Sequence, residues 1–182
     1  MTKKNRHPQG FTLIELLVVI AVMALAASLA APNMASLVRA NRAAGEITAL
    51  SSSIRAAKSE AIKRGGAVQL CSSSNGTSCL SSNDWSQGWI LYSDANRNQT
   101  LDSGEVILAK EQALKAGDSL LASGSANSIN INGEGFAYKL PDTGQVVFVL
   151  KTSPDDAQAQ RCLVITQTAN PVVRKKGESD CD

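Results

Sequence analysis

The sequence predicts an α+β protein in which one long N-terminal helix packs on an antiparallel β-sheet domain. Three observations carry that reading. From Phe11 to Ala31 the chain is mostly apolar, with Glu15 its only charge. From Met34 to Ala61 apolar residues return at three- and four-residue steps, which is the period of a one-sided helix. After Gly66 the pattern becomes short alternating or β-branched runs broken by Gly, Asn, Ser and Pro, as in strands joined by turns. A helix must bury its apolar stripe, and an adjoining antiparallel sheet is a stable partner for it. At 182 residues the chain has room for one such domain plus an appendage.

Residues 1–10 form a basic leader with Lys3, Lys4 and Arg6 and with no acid before Glu15. Without those three bases the remainder carries 15 bases against 16 acids. That near-neutral balance argues against a globally basic nucleic-acid binder. The sole histidine, His7, also lies in the leader, so a chain cut behind it has no imidazole for proton transfer or metal ligation.

Residues 11–31 would measure about 31 Å as a helix at ~1.5 Å per residue, enough to span a bilayer. A secretory signal has a shorter apolar core with its cleavage site behind it. Here the distinctive junction, Gly10–Phe11, lies in front, so a cut there keeps the helix. A carboxylate inside hydrocarbon costs at least ~2.5 kcal/mol and calls for a partner. The new amine at Phe11, on this chain or a neighbour, supplies one.

Pro32 lacks an N–H and its ring clashes with the carbonyl of Ser28, which predicts a kink or a loosened turn rather than a stop. The following amphipathic helix, 32–65, carries Met34, Leu37, Val38, Ala44, Ile47, Leu50, Ile54, Ala57 and Ala61 on its apolar side. Arg39, Arg42, Arg55, Lys58, Lys63 and Arg64 form a polar face, read as solvated, with a binding stripe as the alternative.

Strands are expected near 67–72, 88–93, 105–110, 128–132, 135–140, 145–151 and 161–167 of a domain at 66–182, with loops at 72–84 and 156–160. Cys71, Cys79, Cys162 and Cys181 are even in number and form no C-x-x-C pair, which favours two disulfides over zinc in an exported chain. Three pairings are open. Cys71–Cys79 and Cys162–Cys181 each close a local loop and are preferred, the second tying down the C-terminus.

"GFTLIELLVVIAVMALAASLAAPN" closely resembles the class III leader junction and N-terminal helix of type IV pilins and type II secretion pseudopilins. "IRAAKSEAIKRGGAVQLCSS" looks like the helix-to-strand passage of the FimT/FimU minor pilins and GspH pseudopilins. The resemblance implies a pilin fold and cleavage at Gly10–Phe11 by a prepilin peptidase, which also methylates the Phe11 amine. It implies that Glu15 pairs with the amine of an adjacent subunit during assembly, with Pro32 letting the helix bend. It further implies that the major pilin, other minor pilins and an inner-membrane assembly platform are partners. The protein would sit in the bacterial inner membrane with a periplasmic domain and then in an extracellular fibre. The reading that follows is a minor type IV pilin near the pilus tip, supporting pilus assembly, with twitching motility or adhesion downstream. The alternatives are a GspH-type pseudopilin of a type II secretion system and a DNA-binding minor pilin for natural transformation.

Two further sites carry chemistry. "DANRNQTLDSGE" places Asp94, Asn96, Asn98, Thr100, Asp102 and Glu105 at the ligand positions of an EF-hand-type calcium loop, although Gln99 replaces the turn glycine and strands are expected to flank it. Turn chemistry alone also selects such Asx-rich loops. In the tail, Arg174, Lys175 and Lys176 could grip phosphates. FimT-like pilins carry a Gly-Arg-x-Arg motif there, from which Asn170–Pro171 depart, and Glu178, Asp180 and Asp182 dilute the charge. The chain has no G-x-S-x-G, no phosphate-binding glycine loop and no histidine after residue 7, so it is not expected to be an enzyme.

Overall fold

The computed structural model describes residues 11–141 and 143–181, at 29–33 and 116 the backbone alone. Gly10, His7 and the leader bases lie outside the described residues, as does the Pro32 ring. One α-helix, α1 (Leu13–Arg64), runs 52 residues and continues through position 32. It ends in a Schellman motif: the Gly65 amide donates to the Ile62 carbonyl at 3.2 Å and the Gly66 amide to that of Ala61 at 3.3 Å. The left-handed φ of +60° at Gly65 is the reason that a glycine ends the helix.

Among the described residues nine strands follow: β1 (Val68–Ser72), β2 (Trp89–Ser93), β3 (Ile107–Glu111), β4 (Ser119–Ala122), β5 (Ser128–Ile131), β6 (Ala137–Tyr138), β7 (Gln145–Lys151), β8 (Arg161–Thr166) and β9 (Val172–Lys175). They form two antiparallel sheets, ordered β3-β2-β1-β5-β6 and β4-β7-β8-β9. Strands β4 and β9 were not expected from the sequence. Each is a four-residue edge strand, and a run that short, paired on one side only, leaves little periodicity to read. The strand expected at 135–140 shrinks to the two residues of β6, because the hairpin turn at Asn132–Gly135 takes its first part. That turn is held by Asn132 Oδ1, which accepts the Glu134 and Phe136 amides at 3.1 and 2.9 Å.

Residues up to Leu37 and residues from Val38 form separate compact units. In the second unit Ala43, Ile47, Leu50, Ile54, Ala57 and Ala61 are fully buried and make the helical wall of the core. Their steps of four and three fix one face. Ala43 takes the place expected of Ala44, which is one residue round the helix and only partly buried. Val68, Leu70, Leu91, Ile129 and Ile131 from the first sheet meet Leu120, Phe148, Leu150, Leu163 and Ile165 from the second across the same core. Trp85 packs edge-on against Phe148 at 5.0 Å and donates its Nε1–H to the Ala126 carbonyl at 3.0 Å, while Trp89 donates to Ser53 Oγ at 2.9 Å. Both indoles are buried with their N–H satisfied.

The cationic face of α1 is engaged largely by the chain's own loops, while Arg55, Lys63 and Arg64 remain exposed to solvent. Arg39 pairs with Asp156 at 3.1 Å. Arg42 holds Asp118 through two bonds of 2.7 Å. Arg55 reaches the Pro171 carbonyl, and Lys58 donates to the Thr168 carbonyl and Asn170 Oδ1 at 2.7 and 2.9 Å. Loops that end the strands of the second sheet thus dock on the helix through its bases. Lys63 and Arg64 instead pair with Glu60 on their own helix, the spacing at which helix neighbours meet. Both local disulfides, Cys71–Cys79 and Cys162–Cys181, are formed.

Candidate assembly site

Helix α1 opens at Thr12, whose Oγ1 accepts the Glu15 amide at 3.3 Å and whose carbonyl accepts the Leu16 amide at 3.2 Å. Thr12-x-x-Glu15 is the capping-box spacing, a signal present in the sequence that the membrane argument passed over. Glu15 therefore sits in the first turn, exposed, where the helix dipole favours an anion. Around and beyond it Leu13, Ile14, Leu16, Leu17, Val18 and Val19 are each about half exposed or more. Exposure of that kind continues through Ile20, Val22, Met23 and Leu25, and Phe11 is 85 % exposed. Met34, Leu37 and Val38 are exposed as well. Among the described residues no helix is long and apolar enough to cross a membrane. In this half, side chains are described from Phe11 to Ser28, short of the ~20 residues a span requires.

In the calcium-like loop Asp94 is fully buried and accepts the Asn98 and Gln99 amides at 3.1 and 3.2 Å. Asp102 Oδ2 accepts the side-chain amides of Asn96 and Asn98 at 2.8 and 2.7 Å. The two Glu105 carboxylate oxygens accept the Ala95 and Asp102 amides, and the Thr100 amide is bonded to Asn98 Oδ1. Gln99, at the glycine position, takes a φ of +65°. All six predicted residues thus belong to one closed loop. No group of three acidic, histidine or cysteine side chains among the described residues is gathered as a metal site.

The tail bases do not make one patch. Arg174, on β9, pairs in register with Cys162 of β8 and is partly buried, and its neighbour Lys175 points to the opposite face. The Lys175 amide is held by Glu178 Oε2 at 3.0 Å, which brings an acid among the bases.

A third cluster was not foreseen. Glu46 Oε1 accepts the Lys115 amide at 3.0 Å, beside the Arg42–Asp118 pair, and Asp118 Oδ1 also accepts the Ser153 amide at 2.7 Å. Burial pushes the Glu46 carboxyl up, with the Asp118 charge adding to it. Burial alone would raise Asp118 too, but the Arg42 hydrogen bonds and the Ser153 amide outweigh it and hold that carboxyl below its ordinary value.

A capped apolar helix joined to a head of two antiparallel sheets defines the class, a pilin-like subunit. Residues 5–31 match the prokaryotic N-terminal methylation motif, and residues 46–169 match the family described as type II transport protein GspH. The chain belongs to that GspH family. Its fold is similar to crystal structures of the Pseudomonas aeruginosa type IV minor pilin FimU in two crystal forms. One is 14 % identical, covering 78 % of this chain and 93 % of that one at a TM-score of 0.55. The other is 15 % identical, covering 72 % and 90 % at 0.51. No curated protein matches the sequence.

Proposed function

We propose that the protein is a minor pilin, a structural subunit built into a type IV pilus and seated near its tip, where it supports pilus assembly. The carrying observation is the apolar surface of residues 11–25, which bears the single charge Glu15 and is exposed on the isolated chain. Water does not tolerate so continuous an apolar surface, so a bilayer first and then neighbouring helices cover it. In this reading residues 11–31 anchor the subunit in the inner membrane after a prepilin peptidase cuts Gly10–Phe11 and methylates the Phe11 amine. Glu15 then meets the amine of an adjacent subunit, and Pro32 supplies the bend as the helix moves from membrane to fibre. The major pilin, other minor pilins and the assembly platform are its partners. Likeness to FimU supports the pilus, whereas the name of the matched family favours a second reading, a minor pseudopilin of a type II secretion system. The tail's mixed charge gives DNA binding no comparable support.

Edman sequencing of the membrane-extracted chain should begin at N-methyl-Phe11. Glu15→Ala should leave membrane insertion intact while the subunit disappears from sheared fibres. A chain that begins at Met1, or undiminished incorporation of Glu15→Ala, overturns the proposal. Deleting the protein should reduce surface pili and leave exoprotein release unchanged; the reverse outcome selects the pseudopilin reading.

A further inference from the structure

The two faces of the second sheet differ in what covers them. Leu120, Phe148, Leu150, Leu163 and Ile165 point into the core, so strand alternation turns Leu121, Val147, Val149, Val164 and Val172 outward. Register places these five side by side: Leu121 pairs with Val149, and Val164 pairs with both Val147 and Val172. The outward face of an antiparallel sheet ordinarily carries polar residues at such positions. Here Leu121 is 47 % and Val172 42 % exposed. Leu121, Val147 and Val149 also line a groove of about 320 Å³ beside Lys151.

Both edges of this sheet are blunted. Along β4 the Trp85 amide donates to the Leu120 carbonyl at 2.8 Å and the Ala122 amide to that of Asn83 at 2.9 Å. On β9 the Lys175 amide is taken by Glu178 Oε2 and the Lys175 carbonyl by the Glu178 amide. A partner therefore meets the face of the sheet and not a row of free backbone groups.

Charge is engaged unevenly around that face. The acids on its rim are held by the chain itself: Asp84, which bridges to Leu121, accepts the Ser86 amide at 2.9 Å, and Asp180 accepts the Gln145 side-chain amide at 3.1 Å. The bases are not. Lys151, beside the groove, and Arg174, in register with Cys162, have no ion-pair partner among the described residues. Arg174 is partly buried, and its Nε is enclosed with no hydrogen-bond partner. A guanidinium only donates, and a carboxylate is the acceptor that best matches its fork.

We propose that the outer face of the second sheet, formed by Leu121, Val147, Val149, Val164, Val172 and Arg174, docks the head of a different subunit of the fibre, which brings apolar side chains flanked by a carboxylate. The inference rests on the pilus-subunit reading and adds the surface through which this head is recognised. Apolar contact at the centre supplies the affinity. Arg174, at the β9 edge, sets the register by pairing with the partner's acid, the kind of anchor that interfaces enrich. Complementarity of this one-sided kind suits a heterologous contact, in which the two surfaces differ, as the repeated step of a fibre requires.

Incorporation is read in fibres sheared from a strain that lacks the protein and carries the full-length chain or a variant of it. Arg174→Glu should lower the subunit's abundance about tenfold or more, as loss of a hot-spot arginine does, and Leu121→Ser should lower it as well. Both should melt with the wild type in detergent micelles, because neither side chain enters the core. Val106→Ser is the control: Val106 is 56 % exposed, next to β3 of the other sheet, and its variant should incorporate normally. Wild-type abundance of both face variants, or an equal loss with Val106→Ser, overturns the proposal. If one face variant melts early, the other decides; if both do, the face belongs to the fold and the proposal fails. Sedimentation equilibrium of the full chain should find one chain per micelle. A dimer that Arg174→Glu dissociates assigns the face to a second copy, and double-stranded DNA binding lost in Arg174→Glu assigns it to phosphates; either result overturns the choice of partner. Absence of the wild-type chain from the fibres overturns the pilus reading, whereas wild type present together with both variants overturns this surface alone.

Discussion

At the scale of single residues, charge is placed where it fastens the helix to the sheets. Asp118 is buried at the foot of β4, and its carboxylate is tolerated because the Arg42 fork and the Ser153 amide satisfy its oxygens. Glu46, one turn further along α1, is the uncomfortable member: it is raised by burial and by the charge of Asp118, to which its protonated carboxyl can donate a hydrogen bond. The sign of its contribution follows from linkage. An acid whose folded-state value lies above its unfolded one opposes folding when ionised, fully at neutral pH and not at all below the unfolded value of about 4.3. Glu46→Gln keeps the acceptor for the Lys115 amide and removes the charge. It should therefore raise the thermal midpoint at pH 7, with the gain shrinking to nothing near pH 4. Asp118 runs the other way: its depressed value stabilises the fold above the unfolded value of about 3.9 and is lost as the pH falls through the folded one. Thermal melts of wild type and Glu46→Gln at both pH values check the difference, and a gain of equal size at pH 4 excludes the electrostatic cause.

Among the elements, the junction of α1 with the β5–β6 hairpin shows why glycine stands where it does. A Cβ at Gly133 would lie 2.5 Å from the Gly65 carbonyl carbon and 2.9 Å from the Gly66 nitrogen, so backbone meets backbone with no side chain to give way. Gly133→Ala should force the hairpin off the helix end and cost about 1–3 kcal/mol, read as a lower urea midpoint. Gly45, with nothing near its missing Cβ, is the matched control: Gly45→Ala should hold or gain, since alanine favours a helix by up to about 1 kcal/mol. Helix and central strands were legible in the sequence because their periods persist. Ile47 to Ala61 keeps a strict four-and-three step, and "QVVFVLK" holds an unbroken β-branched and aromatic run whose burial alternates along β7. Edge strands β4 and β9 were hidden because their status depends on a neighbour, β7 or β8, that no local pattern names. For the same reason the pairing of Arg39, Arg42 and Lys58 with residues more than 75 positions away could not be read from α1 alone. The Asx-rich loop was visible through its spacing. The alignment of Gln69, Tyr92, Asn130 and Tyr138 across the first sheet was not, because single polar residues in apolar strands acquire meaning only once the register is known.

Taken whole, the molecule divides its apolar residues between two tasks. Residues from Val38 onward enclose their own core, with Leu50 and Ile54 fully buried among both sheets. Before it, the large apolar side chains described leave their surface uncovered, and Leu17 and Leu37 are each more than half exposed. Burial yields stability only where water is excluded within the folded chain, so substitutions in the two groups should separate cleanly. Leu50→Ala removes packed methyl groups and leaves a cavity, a change that costs about 2–5 kcal/mol. It should lower the thermal midpoint of the detergent-solubilised chain. Leu37→Ser touches no core and should shift that midpoint little, within about 0.5 kcal/mol. In the proposed role, where neighbouring subunits cover that surface, its effect should appear instead in assembly, as loss of the subunit from sheared fibres. If Leu37→Ser melts as early as Leu50→Ala, the uncovered residues belong to the fold and not to the fibre. Wild-type incorporation together with a wild-type melt would assign that position to neither.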